Sequence, residues 1–302
     1  MGSDERWHLS NVEGQPVTKD QNIFPKKVGI VFIEHIRLKH TQGRPRKTDQ
    51  GNNLRLDFDQ VACAHLILQM NTIQSIFEFQ IVIPELIKEF SFEQLPYENN
   101  NNKNSQHKTK NSPMFDWFDN QVKIILSCSE TPRHDIGYLR GIDYWIGITS
   151  KPITHDWSFE GQTPEDNTKS GKFIGIITSV DWEKIHSPPS LFEHIALSIL
   201  LCSLYFINRE FGGQLHFHSL LITKGCIFDF TDYTPHRRID ISNPYLCGTC
   251  RENLRKLETK IFDKHSTTAR IHIYDDIHRI LSRKWMGSPE KRDSPLYNLK
   301  KL

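Results

Sequence analysis

The sequence predicts an α/β (α+β) fold in which a mixed sheet packs against one long buried helix. Apolar, β-branched segments are typical of buried strands, and the chain contains them at Val28–Phe32, Phe77–Ile83, Tyr144–Thr149 and Lys172–Ser179. A predominantly apolar run then extends from Ile195 to Ile207. Because a bilayer span needs about 20 apolar residues, this shorter run indicates a core helix. Strands and helices are mixed along the chain, which favours a layered domain with an irregular C-terminal part.

Composition separates a central domain from two polar ends. We expect a flexible N-terminal arm at residues 1–26, a single domain at 27–286 and a basic tail at 287–302. Residues 96–113 are rich in asparagine and lysine and poor in apolar side chains. Such a segment cannot bury enough apolar surface to fold, so we predict a disordered insertion there.

Capping residues and periodicity predict the helices. Asp57 is the expected N-cap of a helix from Phe58 to Ile73, whose inner face is expected to carry Val61, His65, Leu66 and Met70. Phe115–Cys128 fits either a helix or a strand. The other expected elements are a long helix from its N-cap Ser190 to Ile207, a short helix from Cys250 to Leu257, a strand at Arg270–Tyr274 and a helix from Asp275 to Trp285.

The charge balance argues against a strong global electrostatic field. The formal net charge is +2 at pH 7, with 25% charged and 37% hydrophobic residues, which is ordinary for a globular protein. The sequence has no N-terminal apolar run of the kind that forms a signal peptide, and it has no membrane-length apolar segment. We therefore expect a cytoplasmic protein with no membrane partner.

The six cysteines fall into two groups. Cys63, Cys128 and Cys202 have apolar neighbours and are expected to be small core residues. Cys226, Cys247 and Cys250 lie in a turn-rich segment, and Cys247-Gly-Thr-Cys250 has the spacing of a zinc knuckle. We expect these three to bind a structural zinc ion within a zinc knot at residues 216–257.

The fourth zinc ligand is expected to be a histidine. His218 is our choice, His216 is the alternative on the same strand face, and His236 lies inside the loop. A different interpretation makes Cys247 and Cys250 a redox pair. Such a pair opens a helix directly after a core strand, and residues 242–245 (Ser-Asn-Pro-Tyr) are not typical of a core strand.

Residues 172–257 resemble the archaemetzincin family of zinc metallopeptidases. The resemblance rests on the segment 173–179 (FIGIITS) before the long helix, on Cys226-Ile-Phe and Asp240, and on Cys247-x-x-Cys250 followed by Arg-Glu-Asn-Leu. It implies a metzincin-like mixed sheet, a long helix that carries the active site in the family, and a structural zinc held by the cysteines.

The catalytic motif of that family, H-E-x-x-H-x-x-G-x-x-H, is absent. Aligned on Glu193, its histidines are replaced by Phe192, Ala196 and Cys202, and its glycine by Ile199. Two histidines at i and i+4 share one helix face and can hold a catalytic zinc, but no two of the 15 histidines have that spacing. We therefore expect no catalytic residue, with Glu193 a vestige at most.

The leading hypothesis is a catalytically inactive metallopeptidase-like protein that acts as a protein- or peptide-interaction subunit. One alternative is an active zinc-dependent peptidase with a rearranged site, formed by Glu193, His194, His216 and His218. A second alternative is nucleic-acid binding through the basic clusters 44–47, 236–238 and 251–256. Acidic residues interleave with these clusters, which is typical of solvated faces rather than of a nucleic-acid surface.

Overall fold

The computed structural model describes residues 24–33, 60–83, 112–128, 137–149, 153, 159–166, 168–178, 191–215, 226–228, 245–265 and 272–281, without the side chains of 60–62, 128, 191–194 and 264–265. The described strands are β1 (Lys26–Phe32), β2 (Phe77–Val82), β3 (Tyr144–Thr149), β4 (Phe159–Gln162) and β5 (Phe173–Thr178). The described α-helices are α1 (Gln60–Met70), α2 (Pro113–Cys128), α3 (Leu191–Glu210), α4 (Gly248–His265) and α5 (Ile273–Leu281). Short 3₁₀ turns lie at Gly137–Gly141 and Pro164–Asp166.

The five strands form one mixed sheet in the order β2-β1-β3-β5-β4. The first four strands of this order run parallel, and β4 pairs antiparallel with β5 at one end. Parallel strands are covered on both faces and are therefore apolar throughout, as β3 is, with every residue buried. The α/β (α+β) class predicted from the sequence is confirmed.

Helices cover both faces of the sheet. Tyr144, Ile146 and Ile148 of β3 face a core shared with α1, α3, α4 and α5, whereas Trp145 faces a second core shared with α2. Gly175 of β5 is needed for this packing, because a side chain there would overlap the sulfur atom of Cys202 on α3. The sheet is thus the middle of three layers.

The long helix α3 was predicted well. Ile195, Ile199, Leu200 and Leu204 are fully buried, as expected for a core helix. The helix ends at Glu210, close to Gly212, whose φ of 61° is readily adopted by glycine and ends many helices. Among the helices that the structure describes, none has both the length and the apolar character that a membrane crossing requires.

The face of helix α1 that is buried in the core differs from the predicted one. Leu66 and Met70 are buried as expected, but His65 is exposed and the buried stripe includes Cys63 and Ile67. The spacing of that stripe is i, i+3, i+4 and i+7, so the 3.6-residue period places His65 on the opposite side. The helix ends at Met70 and a turn occupies residues 71–73, while Asp57 and the Val61 side chain are outside the described residues.

The ambiguous segment 115–128 is helical, and it starts earlier than expected. Ser112 caps α2, since its Oγ accepts the N–H of Phe115 at 3.1 Å and its carbonyl accepts that of Asp116. Ser112 is also buried, so the predicted disordered insertion was wrong at its last two residues; residues 96–111 are outside the described residues. Similarly, Lys26 was assigned to the arm but begins β1.

The C-terminal strand predicted at Arg270–Tyr274 was wrong for its described part. Ile273 and Tyr274 belong to α5, because the Glu258 carboxylate accepts the backbone N–H of Tyr274 at 2.7 Å and Asp275 and Asp276 supply acidic side chains to the first turn. Apolar alternation around Ile273 misled the strand assignment.

Helix α4 was predicted too short. Strand β4 was missed, because Phe-Glu-Gly-Gln has no β-branched residue.

Candidate metal centre

Cys226, Cys247 and Cys250 come together in the folded chain. Their sulfur atoms all lie within 4.8 Å of one another, and all three residues are buried. We refer to these residues as the thiol centre. No other group of three potential ligand residues at this spacing occurs among the residues that the structure describes.

A short backbone pairing brings Cys226 to the other two cysteines. Cys226 forms a parallel bridge with Tyr245, and the N–H of Ile227 donates to the carbonyl of Tyr245 at 3.0 Å. The N–H of Cys247 then donates to the sulfur of Cys226 at 3.4 Å. Donors directed at sulfur stabilise a thiolate and fix its position, as in many cysteine metal sites.

Helix α4 begins inside the Cys-x-x-Cys motif. Cys247 directly precedes Gly248, the first helical residue, and its carbonyl accepts the N–H of Arg251 at 3.0 Å. Cys250 therefore lies in the first turn, near backbone N–H groups that have no partner within the helix. The positive end of the helix dipole favours negative charge at this position, and bound thiolates carry that charge.

The rest of α4 anchors the thiol centre to the core. Leu254, Leu257 and Ile261 recur on one face of the helix and are fully buried in the same core as α3 and α5. The Asn253 side chain donates to the carbonyl of Gln214 at 3.0 Å, and Lys260 donates to the carbonyl of Gly212. The thiol centre is thereby connected to the turn that follows α3.

The Cys250 thiol of the centre favours its neutral form when no cation is bound. A hydrogen bond to Cys226, together with burial and the charges of neighbouring sulfur atoms, raises the pKa of the Cys250 thiol. Burial alone raises the pKa of the Cys202 thiol. Cys202 packs against Gly175 and is a core residue, as predicted. A divalent cation removes this penalty, because it binds thiolates and displaces their protons.

The donor set fits a soft or borderline metal ion. Three thiolates at one point match zinc and similar cations, whereas magnesium and calcium require oxygen ligands. The group could therefore hold a metal ion, with one more ligand needed for a tetrahedron. The predicted fourth ligand His218 and its alternatives His216 and His236 are outside the described residues.

The described part of the α3 face that was aligned with the family motif is packed rather than open to solvent. Ala196, Ile199 and Cys202 occupy three positions of the aligned motif, and all three are buried. The helix backbone includes residues 192–194, but the side chains of Phe192, Glu193 and His194 are outside the description. The alternative site formed by Glu193 and the histidines therefore stays a prediction.

The basic side chains that the structure describes on α4, those of Arg251, Arg255, Lys256 and Lys260, are exposed. Lys256 forms an ion pair with Glu252 at 2.7 Å, and Arg255 lies over the ring of Tyr274 at 5.2 Å. A cleft of about 270 Å³ lies beside them and is lined by Gly213, Gln214, Lys256, Leu257, Thr259 and Lys260. These charges already have local partners, as expected for a solvated helix face.

Sequence reasoning identified the three cysteines but missed two contributors to the thiol centre. The pairing of Tyr245 with Cys226 depends on a single bridge, which leaves no periodic signal in the sequence. The start of α4 at Gly248 could have been predicted from the long run of helix-forming residues after Cys250. No family model matches the chain, and comparisons with curated proteins and with solved structures also gave no match.

Proposed function

We propose that the chain is a catalytically inactive, metallopeptidase-like protein that contains a structural zinc and acts as a protein- or peptide-interaction subunit. The observation that carries the proposal is the thiol centre, in which three buried sulfur atoms lie within 4.8 Å of one another. Three thiolates and one further ligand make a closed tetrahedral site, which is the arrangement of structural zinc. The ion would tie the segment of Cys226 to α4.

The lack of catalysis is supported by the packing of α3. A catalytic zinc requires three protein ligands and one open position that holds water. Ala196 and Cys202 replace two of the motif histidines and are buried in the core next to the sheet, where neither side chain can serve as an imidazole ligand. The mixed sheet, the long helix after β5 and the cysteines after that helix agree in order with the archaemetzincin resemblance.

One edge of the sheet is already blocked to an added strand. The side chain of Asn71 bonds both the N–H and the carbonyl of Phe79, at 2.8 and 2.9 Å. The side chain of Gln74 does the same for Phe77, at 2.8 and 2.7 Å. These two amides occupy the outer edge of β2 and prevent further pairing there, as edge-strand protection requires.

The other end of the described sheet is β4, whose Glu160 and Gln162 are buried. We therefore do not place the interaction on this strand. An interaction subunit of this kind would bind an extended peptide through the hydrogen-bonding groups of the peptide backbone. The bound partner would therefore be an extended segment of a protein, held but not cleaved.

Zinc content and peptide binding test the proposal together. We expect about one tightly bound zinc per chain, measured by elemental mass spectrometry after extensive dialysis. Peptides selected from a display library should bind without being cleaved. N-methylation of alternate backbone amides in a selected peptide should abolish binding in one register and spare it in the other, because an extended peptide directs alternate amides to opposite sides and only one set faces the protein.

Cleavage assays can contradict the proposal that the protein is inactive. The wild-type chain and the Glu193→Gln variant are compared on a broad peptide library with zinc supplied. Cleavage by the wild type that is lost in the variant would overturn the inactive assignment and support the rearranged peptidase site. A second zinc per chain would point the same way.

A further inference from the structure

The placement of Cys247 and Cys250 at the start of α4 bears on the redox interpretation of this motif. A reactive dithiol is expected to open a helix, and the structure shows that α4 begins at Gly248, directly after Cys247. Cys250 follows within the first turn, and the sulfur atoms of the pair lie within 4.8 Å of each other. The Cys-x-x-Cys spacing at a helix start is the arrangement in which two sulfur atoms can form a local disulfide.

Because the thiol centre contains a third thiol, Cys226, its metal-bound state and its disulfide state connect different parts of the chain. Cys226 lies 21 positions before Cys247, and it reaches the centre through the bridge with Tyr245. A metal ion held by all three sulfur atoms links this segment to α4. A disulfide between Cys247 and Cys250 is confined to α4 and its N-cap, so it leaves Cys226 as a single thiol that cannot hold the ion alone.

We propose that the thiol centre is a peroxide-sensitive switch, in which a Cys247–Cys250 disulfide expels the metal ion and disconnects Cys226 from α4. The inference rests on the proposed function in one respect, since it takes zinc as the bound ion. Formation of the Cys247–Cys250 disulfide involves only the chain's own cysteines, so this step applies to the metal-free protein as well.

The chemistry balances with hydrogen peroxide as the oxidant. The sulfur of Cys247 attacks one peroxide oxygen, the O–O bond breaks, and hydroxide leaves, which gives a sulfenic acid. The sulfur of Cys250 then attacks the Cys247 sulfur, the S–S bond forms, the S–O bond of the sulfenic acid breaks, and the second oxygen leaves as hydroxide. The two sulfur atoms lose two electrons, and the peroxide gains them. Two protons convert both hydroxides to water; the thiols supply them in the metal-free chain, and solvent supplies them where the metal bound the sulfur atoms as thiolates.

Exposure favours Cys247 as the first sulfur to react. It is 8% exposed, whereas Cys226 and Cys250 are 0% and 2% exposed. Gly248 and Thr249, which connect the two cysteines of the pair, are themselves exposed. A small neutral oxidant can therefore approach the centre at the N-terminal end of α4, while the buried Cys63 and Cys202 stay shielded.

The test adds hydrogen peroxide stepwise to the reduced, zinc-loaded chain. A chromogenic chelator reports zinc release, and peptide mass spectrometry without reduction maps the disulfide. We expect one zinc released for each peroxide consumed, a Cys247–Cys250 link, and recovery of zinc binding after dithiothreitol. The matched control Cys63→Ala, which removes a buried thiol outside the centre, should respond like the wild type.

A second variant keeps the test decisive if replacing Cys247 or Cys250 by serine prevents the chain from folding. Cys250→His retains a metal ligand but cannot form the disulfide, so it should keep its zinc at peroxide levels that empty the wild type. Zinc retained by the wild type, or a disulfide mapped to any other pair, would overturn the proposal. Absence of zinc from the untreated chain would instead count against the proposed function, and disulfide mapping on that metal-free chain would still decide the switch.

Discussion

The backbone N–H of Cys247 donates to the sulfur atom of Cys226 at 3.4 Å. This bond joins the first residue before α4 to a segment 21 positions earlier, and it lies beside the parallel bridge between Cys226 and Tyr245. Two short stretches with little regular structure are thereby held against the N-terminal end of α4. A metal ion at the same point would strengthen the link through its bonds to all three sulfur atoms.

The first prediction concerns the contribution of the thiol centre to stability. Cys247→Ser and Cys250→Ser should each lower the zinc content and reduce the free energy of unfolding by several kcal/mol, because ligand loss removes metal-binding energy from the folded state. Thermal unfolding and elemental analysis measure both effects. Thr249→Ser, an exposed change within the same motif, is the control and should leave both unchanged. Unaltered zinc content and stability in the cysteine variants would refute the metal assignment.

The second prediction concerns the fourth ligand. His218→Ala should weaken zinc binding, while His216→Ala should not, because His218 is nearer to Cys226 in sequence and leaves a shorter loop to close. Zinc affinity is measured by competition with a chelator of known strength. If only the His216→Ala change weakens binding, the ligand is His216.

The third prediction concerns alkaline pH. Burial, the nearby Glu210 carboxylate and a hydrogen bond donated to it raise the pKa of Tyr144 well above its usual value of about 10. The folded state therefore retains the phenol proton that the unfolded chain loses, so the stabilisation is complete below about pH 10 and disappears as pH rises further. Stability should fall above about pH 10 in the wild type, and the fall should be shallower in Tyr144→Phe.

Denaturant unfolding at a series of pH values measures this difference. Glu210→Gln should reduce the alkaline effect only in part, because burial, the first cause of the raised Tyr144 pKa, remains. It should also lower stability at neutral pH, because Lys26 shares the same carboxylate, with Nζ at 2.6 Å from Glu210. Tyr138→Phe is a suitable control, because Tyr138 is 57% exposed. Equal slopes for Tyr144→Phe and the wild type would contradict the assignment.

The fourth prediction concerns the attachment of α5. Asp276 is fully buried, and its carboxylate accepts the N–H and the hydroxyl of Ser75 at 2.6 and 2.8 Å and pairs with Arg279. Asp276→Ala should destabilise the protein by about 2 kcal/mol, since it removes the hydrogen bonds that Ser75 and Arg279 make to a buried carboxylate. Ser75→Ala should cost about 1 kcal/mol, because the backbone bond remains. Calorimetry measures both, and equal losses would show that the hydroxyl alone carries the contact.

The elements that the sequence predicted are those with a strong local signal. Every residue of β3 is buried, and α3 is buried without interruption over residues 195–200, so both segments are rich in apolar side chains. Cys247 and Cys250 were found because their spacing by itself brings the sulfur atoms close. The fourth ligand could not be fixed, since His216 and His218 are related to the cysteines only through the path of the intervening chain.

Tertiary contacts decided the remaining features. Tyr274 was expected in a strand and lies in a helix, because Glu258 on α4 accepts its N–H. Strand β4 has no strand-like sequence, and pairing with β5 determines its conformation. The sequence by itself determined the class of fold, the core helix and the identity of the thiols. Only the folded chain decided that Cys226 meets Cys247 at the start of α4, because backbone bonds between distant segments depend on the whole packing arrangement and not on local preference.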